Sequence, residues 1–223
     1  MDKSGLEPRV APGATALTPA LRRALEIPFA EDGMTIGLLG GSFNPPHQGH
    51  LAISLLAMKR ARLDRLWWLV SPGNPLKDHS ELESLERRIK LCSGIAIHPR
   101  IDITAFEANH KLGYTHDTLA VLRRLRPRIN FVWIMGADNL AGFHRWQNWK
   151  RIAAMMPFIV VDRPGSTLSC RSAPAAIALA RYRIDEDDAA MISRMRPPAW
   201  TFLHGPRSLI SSTAIRAARS EKP

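Results

Sequence analysis

Residues 40–50 read Gly40-Gly41-Ser42-Phe43-Asn44-Pro45-Pro46-His47-Gln48-Gly49-His50. The apolar run Met34-Thr35-Ile36-Gly37-Leu38-Leu39 leads into this stretch, and Leu51-Ala52-Ile53-Ser54-Leu55-Leu56-Ala57-Met58 leads out of it. A strand therefore enters the segment and a helix leaves it. Glycine lets a backbone come close to a ligand. The first turn of a helix offers unsatisfied N–H groups and positive potential to an anion. His47 and His50 are three residues apart at that helix head, so their imidazoles share a face. This is the chemistry of a turn that holds nucleotide phosphates, and Gly40, Gly41, Ser42, Phe43, His47 and His50 are its candidate contacts.

From Met34 onward the chain alternates between short apolar runs and helical patterns. Strands are predicted at 34–39, 65–70, 100–104, 129–135, 158–161 and 200–203. Helices are predicted at 48–62, 82–97, 115–126, 146–155, 173–180, 187–194 and 212–218. The strand runs are short and mostly apolar without clean alternation, as expected of strands buried on both faces of a parallel sheet. The expected fold is α/β, a doubly wound parallel sheet in a single domain, with its site at the carboxyl ends of the strands. Residues 1–33 are rich in Ala, Pro and Gly and read as a mobile extension with a short helical stretch at 19–27. Residues 34–223 read as the domain.

The chain has 223 residues, 45% of them apolar, enough for one substantial core. No apolar run has the length of a membrane span, and the N-terminus lacks the apolar segment of a secretory signal. Cys92 and Cys170 stand far apart, which suggests reduced thiols and a cytoplasmic protein. The net charge is +11. It fits polyanionic ligands, but arginine-rich, alanine-rich composition accounts for it equally well. No membrane or nucleic-acid partner is expected, and a homo-oligomer is left open.

Further motifs fall at the ends of the predicted strands. Ile210-Ser211-Ser212-Thr213-Ala214-Ile215-Arg216 places hydroxyls at a helix start, with an arginine one turn on. Such residues cap the helix, and the same geometry can hold a triphosphate. In Trp133-Ile134-Met135-Gly136-Ala137-Asp138, Gly136 permits close backbone approach and Asp138 can accept from a ribose or an adenine edge. Gly113-Tyr114-Thr115-His116-Asp117-Thr118 opens a helix, with Thr115 as the expected N-cap. Trp146 and Trp149 are expected on one helix face, Trp149 in the core and Trp146 against a ligand. Lys77 follows the second strand in a Pro- and Gly-containing loop. A Walker turn and a Gly-x-Gly-x-x-Gly fingerprint are both absent from the sequence. The His pair lacks further ligands at zinc spacing.

The string Gly40–His50 resembles the His-x-Gly-His motif of the nucleotidyltransferase superfamily, in its nicotinate mononucleotide adenylyltransferase branch. Ile210–Arg216 is similar to the same family's Ile-Ser-Ser-Thr-x-Ile-Arg motif. The resemblance covers about residues 34–216 and implies a Rossmann-like nucleotidyltransferase fold. It implies an enzyme of NAD biosynthesis that joins AMP from ATP to nicotinate mononucleotide and releases pyrophosphate. It assigns His47, His50 and Arg216 to catalysis. Gly40, Gly41, Ser42, Phe43, Gly136, Asp138, Ser211, Ser212 and Thr213 would bind ATP with them. Asn44, Lys77, Tyr114, Thr115 and Trp146 would bind nicotinate mononucleotide. Mg²⁺ is expected to be carried mainly by the ATP phosphates, with no protein metal site. Two departures stand out. Asn44 replaces the usual Asp and loses its charge, and Gln147 replaces a common aromatic. Other acceptors, nicotinamide mononucleotide or phosphopantetheine, remain open, as do a non-catalytic RNA-binding module and a nucleotide sensor.

Overall fold

Most residues of the predicted strands are apolar, and the sheet carries a buried core on each face. The computed structural model describes residues 18–73, 82–162 and 172–205. Among these residues six strands form one all-parallel sheet: β1 (Thr35–Gly41), β2 (Arg65–Val70), β3 (Ile101–Thr104), β4 (Asn130–Gly136), β5 (Phe158–Val161) and β6 (Trp200–Leu203). Their order across the sheet is β3-β2-β1-β4-β5-β6. The helices are α1 (Pro19–Ala24), α2 (Gln48–Arg60), α3 (Leu85–Ile95), α4 (Phe106–Asn109), α5 (Thr115–Leu125), α6 (Ala137–Gly142), α7 (Trp149–Met155) and α8 (Pro174–Ala178). Among the described residues no helix is long and apolar enough to cross a membrane.

Side chains alternate between two cores, as strand geometry requires. Leu38, Trp67, Leu69, Trp133, Phe158 and Val160 face one layer, with Phe106, Leu119, Leu140, Phe143 and Ile152 from α4 to α7 and the turn after α6. Leu39, Trp68, Val70, Ile134, Ile159 and Val161 face the other, with Ile53, Ala57 and Met58 of α2, Ile89 and Cys92 of α3, and Ile192. This is the expected doubly wound arrangement. After β1 the chain turns through α2 to β2 on one side, whereas β4 pairs with β1 on the other side. The strand order reverses there, and in an open α/β sheet the binding crevice lies at such a point, here at the carboxyl ends of β1 and β4.

Several element ends shift by one to three residues from the expectations, as the helix expected at 82–97 does to Leu85–Ile95, and three differences change the local reading. The helix predicted at 146–155 begins at Trp149, because Trp146 is extended (φ −72°, ψ 142°) and Asn148 is left-handed at φ 57°. Asn tolerates that region better than most residues, and it breaks the helix after the 3₁₀ turn Phe143–Arg145. Trp146 and Trp149 therefore do not share a helix face. Tyr114, not Thr115, is the N-cap of α5. The segment expected as a helix at 187–194 is a 3₁₀ helix over Glu186–Arg194.

The extension expected at 1–33 divides at Thr18. Residues 1–17 lie outside the described residues, whereas 18–33 pack on the sheet edge. Thr18 caps α1, and its hydroxyl donates to Glu86 at 3.0 Å. The carbonyl of Ala24 accepts from the Ala105 N–H at 2.6 Å and from the Thr104 hydroxyl at 3.1 Å. Leu21 and Leu25 lie against the core layer that contains α3. Removing this segment exposes apolar surface and strips the buried Thr104 hydroxyl of its acceptors, each such loss costing about 1–3 kcal/mol. A chain starting at Gly33 is expected to melt roughly 6–12 °C below one starting at Thr18, for a loss of about 3 kcal/mol at ~2–4 °C per kcal/mol. Equal melting temperatures by circular dichroism would show that the packed segment contributes nothing.

Candidate active site

The turn after β1 is built from buried rings. Phe43 has a left-handed backbone at φ 47°, uncommon outside glycine. This conformation turns its ring inward, where it stacks on Trp68 at 4.9 Å and meets His50 at 4.8 Å. The Trp68 indole N–H donates to the Ser54 hydroxyl at 2.8 Å, and that hydroxyl donates to the His50 carbonyl at 2.8 Å. The first turn of α2 is thereby tied to β2. Gly40 meets a packing need: a Cβ there would stand 2.5 Å from the Trp133 ring. Gly41 has ordinary space for a Cβ, which would meet the Phe43 ring at 3.4 Å. Both glycines lie within β1, paired with Leu69 and Val70.

His47 is the N-cap of α2 and His50 its third residue, with ring centroids 3.9 Å apart. The Nδ1 of His47 accepts from the Gly49 N–H at 3.1 Å, and the Nδ1 of His50 accepts from the His47 N–H at 3.2 Å. A ring whose Nδ1 accepts is neutral and carries its proton on Nε2. The capping bonds thus fix the tautomer of both imidazoles and make Nε2–H the donor of each. The pair is brought together as expected, with His47 4% exposed.

Asn44 is buried, and its Oδ1 accepts from the Glu83 N–H at 3.2 Å. Arg88 of α3, which sequence reasoning missed, donates from Nη1 to the carbonyls of Ser42 and Ser71, each at 2.7 Å, and from Nε to the Glu83 carbonyl at 2.9 Å. Its signal was present in the sequence: Arg88 falls on the apolar stripe Leu85, Ile89, Cys92 of a helix. Burial lowers its pKa from the ordinary arginine value, while Cys92 and Glu83 oppose that shift. A cleft of about 500 Å³ opens between Pro72–Gly73, the Leu82–Leu85 approach to α3, and Lys111–Gly113.

Gly136 ends β4 and caps α6, and Asp138 is exposed in the first turn of α6 at the crevice. Trp146 is half-buried, edge-on to Trp133 at 6.4 Å and to Phe143 at 5.3 Å. Trp149 is half-buried as well and also packs on Phe143, at 5.8 Å. Tyr114 and Thr115, both half-buried, begin α5. Beneath them lies a second group missed from sequence: the Thr118 hydroxyl donates to Glu107 Oε1 at 2.6 Å. Lys77, Ser211, Ser212, Thr213 and Arg216 lie outside the described residues, as does the helix expected at 212–218. Among the described residues no group of three or more His, Cys, Asp or Glu could hold a metal ion.

The sequence profile of the cytidylyltransferase-like family matches residues 38–218. A protein of Mesorhizobium japonicum named probable nicotinate-nucleotide adenylyltransferase is 55% identical over 190 residues, covering 85% of this chain and 97% of that one. The chain belongs to the nicotinate-nucleotide adenylyltransferase family. A Brucella suis relative of the same name is 54% identical over 189 residues, covering 85% of this chain and 97% of its own. The nicotinic acid mononucleotide adenylyltransferase of Plasmodium falciparum, solved with NaAD, shares the fold, with a TM-score of 0.61 at 18% identity over 82% of this chain and 83% of that one.

Glu107 generates a pH prediction. Burial pushes its carboxyl up from 4.5 to about 7, against the hydrogen bond from Thr118, which lowers it. Between these values the unfolded chain has released a proton that the folded chain still holds. Stability therefore falls as pH rises from about 4.5 to about 7 and levels off above, by about 3 kcal/mol from this group. Glu107→Gln should match the parent near the lower value and gain up to about 3 kcal/mol on it above the higher one. A stability difference that does not vary with pH in urea melts would show that Glu107 is not the titrating group.

Proposed function

We propose that this protein transfers the AMP unit of ATP to the 5′-phosphate of nicotinate mononucleotide, yielding nicotinate adenine dinucleotide and pyrophosphate. The observation that carries the mechanism is the contacting His47–His50 pair at the head of α2, where the strand order reverses. The high identity to named relatives over most of the chain supports the substrates. A free, buried Cys92 supports a cytoplasmic setting for this step of NAD biosynthesis.

The acceptor phosphate is already an anion at neutral pH, so the reaction needs no strong base and no protein nucleophile. Catalysis is alignment of two phosphates and stabilisation of charge as the bond to pyrophosphate breaks. The Nε2–H groups of His47 and His50 donate to the ATP phosphates without bringing a full charge that would trap the ground state. The positive end of α2 adds to the same field. Gly40, Gly41, Ser42 and Phe43 line the adenosine path, with Gly136 and Asp138 across the crevice. Ser211, Ser212, Thr213 and Arg216 hold the β- and γ-phosphates, the planar fork of Arg216 suiting phosphate oxygens. Bound with ATP, Mg²⁺ supplies neutralisation of the triphosphate and is carried by phosphate oxygens and water. Asn44 contributes no charge to it, and its Oδ1 already serves the Glu83 N–H. Trp146, Tyr114, Thr115 and Lys77 receive the acceptor.

Pyrophosphate release with ATP and a panel of acceptors tests the reading: nicotinate mononucleotide, nicotinamide mononucleotide and phosphopantetheine. In a folded protein, His50→Ala should cut turnover by roughly 10²–10³, as loss of a preorganised donor does. Turnover near that of the parent would remove His50 from the mechanism. Nicotinate carries a carboxylate where nicotinamide carries a neutral amide, and charge-assisted hydrogen bonds near Tyr114 and Thr115 would read that difference. The acid should be preferred at least about tenfold in kcat/KM. Trp146→Ala should weaken both acceptors and leave their ratio almost unchanged, because a ring face reads the two substituents alike. Equal efficiency for acid and amide in the parent would refute the nicotinate assignment while sparing the adenylyl transfer.

A further inference from the structure

Arg88 is 1% exposed, yet the three hydrogen bonds described above all go to main-chain carbonyls. These carbonyls come from three segments. Ser42 belongs to the turn that carries the His pair. Ser71 opens the loop after β2. Glu83 leads into α3. The Glu83 backbone is held at its N–H as well, which donates to Asn44 Oδ1. The bonds close a ring, from the Asn44 side chain to the Glu83 N–H, through the Glu83 backbone to its carbonyl and the Arg88 guanidinium, to the Ser42 carbonyl, and along the backbone to Asn44. A buried cation is costly, and an apolar side chain would fill this stripe of α3 with less desolvation. Its position on the cleft wall, joined to the phosphate turn, gives the cost a purpose.

We propose that Arg88 is a positioning residue for the transfer. It fixes the turn bearing His47 and His50 against Ser71 and Glu83 at the cleft, so that donor and acceptor phosphates meet in line. The inference rests on the function proposed above. The planar guanidinium is suited to the task because its donors diverge in fixed directions. A lysine ammonium in the same place reaches fewer of the three carbonyls and imposes no plane. Misplacement of reacting groups by about 1 Å costs roughly 10² in rate, whereas binding of either substrate alone is far less sensitive. The signature is therefore a fall in kcat with KM for ATP nearly unchanged.

The test is steady-state pyrophosphate release by full-length Arg88→Lys, Asn44→Ala and the double variant, each below its own melting transition. Lack of turnover in the parent with both substrates overturns the proposed function before any variant is needed. Given an active parent, each single variant should lose at least about tenfold in kcat, with KM for ATP within about threefold. The double variant should be no slower than the worse single, because both substitutions open one ring. Parent-like kcat in either folded single variant overturns the proposal and leaves Arg88 a purely structural residue. Multiplicative effects in the double variant overturn it as well. If Arg88→Lys does not fold, Asn44→Ala decides: a tenfold or greater loss in kcat at unchanged KM for both ATP and nicotinate mononucleotide supports the ring, whereas parent-like kcat, or a loss carried by KM for the acceptor, refutes it.

Discussion

Parallel pairing of β1 with a strand on each side is the constraint from which the site follows. Parallel neighbours cannot be joined by a tight turn, so each connection must cross a face of the sheet through a helix. The chain leaves β1 through α2 on one face and reaches β4 through α5 on the other. The two connections diverge above the carboxyl end of β1. Backbone that would elsewhere be covered lies open there, beside the N-terminus of α2 and the end of β4. A phosphate site needs little more than donors aimed into that opening.

The donors are aimed by bonds that also make the helix. Capping is ordinarily the work of Ser, Thr, Asp or Asn, and here two imidazoles do it. Each ring spends Nδ1 on the backbone and is left with one possible proton position. The Phe43–Trp68 stack and the Ser54 bridge hold the rings from below. Helix initiation, ring orientation and tautomer are thus one arrangement, and a residue that merely capped α2 would leave the site without its donors.

The strands were legible because burial on both faces makes them continuous apolar runs. β2, β5 and β6 begin and end at the residues expected. The phosphate turn was legible because its residue types are specific to its chemistry. What the sequence hid was long-range or depended on a single dihedral angle. Nothing local distinguishes Asn148 in the left-handed region from Asn148 inside a helix, so the break after Trp146 was missed. The helical stretch expected at 19–27 is α1, but its attachment was hidden, because it is a carbonyl accepting from residues some 80 positions away. Arg88 reads as a polar interruption of an amphipathic helix until its three carbonyl partners are seen. Glu107 reads as surface until Thr118 is found beside it.

Cys92 sits one turn beyond Arg88 on the same stripe, fully buried, with its thiol pushed up to about 12. The thiolate is the reactive form of cysteine, so at neutral pH this sulfur is shielded twice, by its neighbours and by its protonation. Its modification requires α3 to lift from the sheet. Alkylation kinetics at Cys92 consequently report how often that helix opens, and so how often the floor of the cleft comes apart.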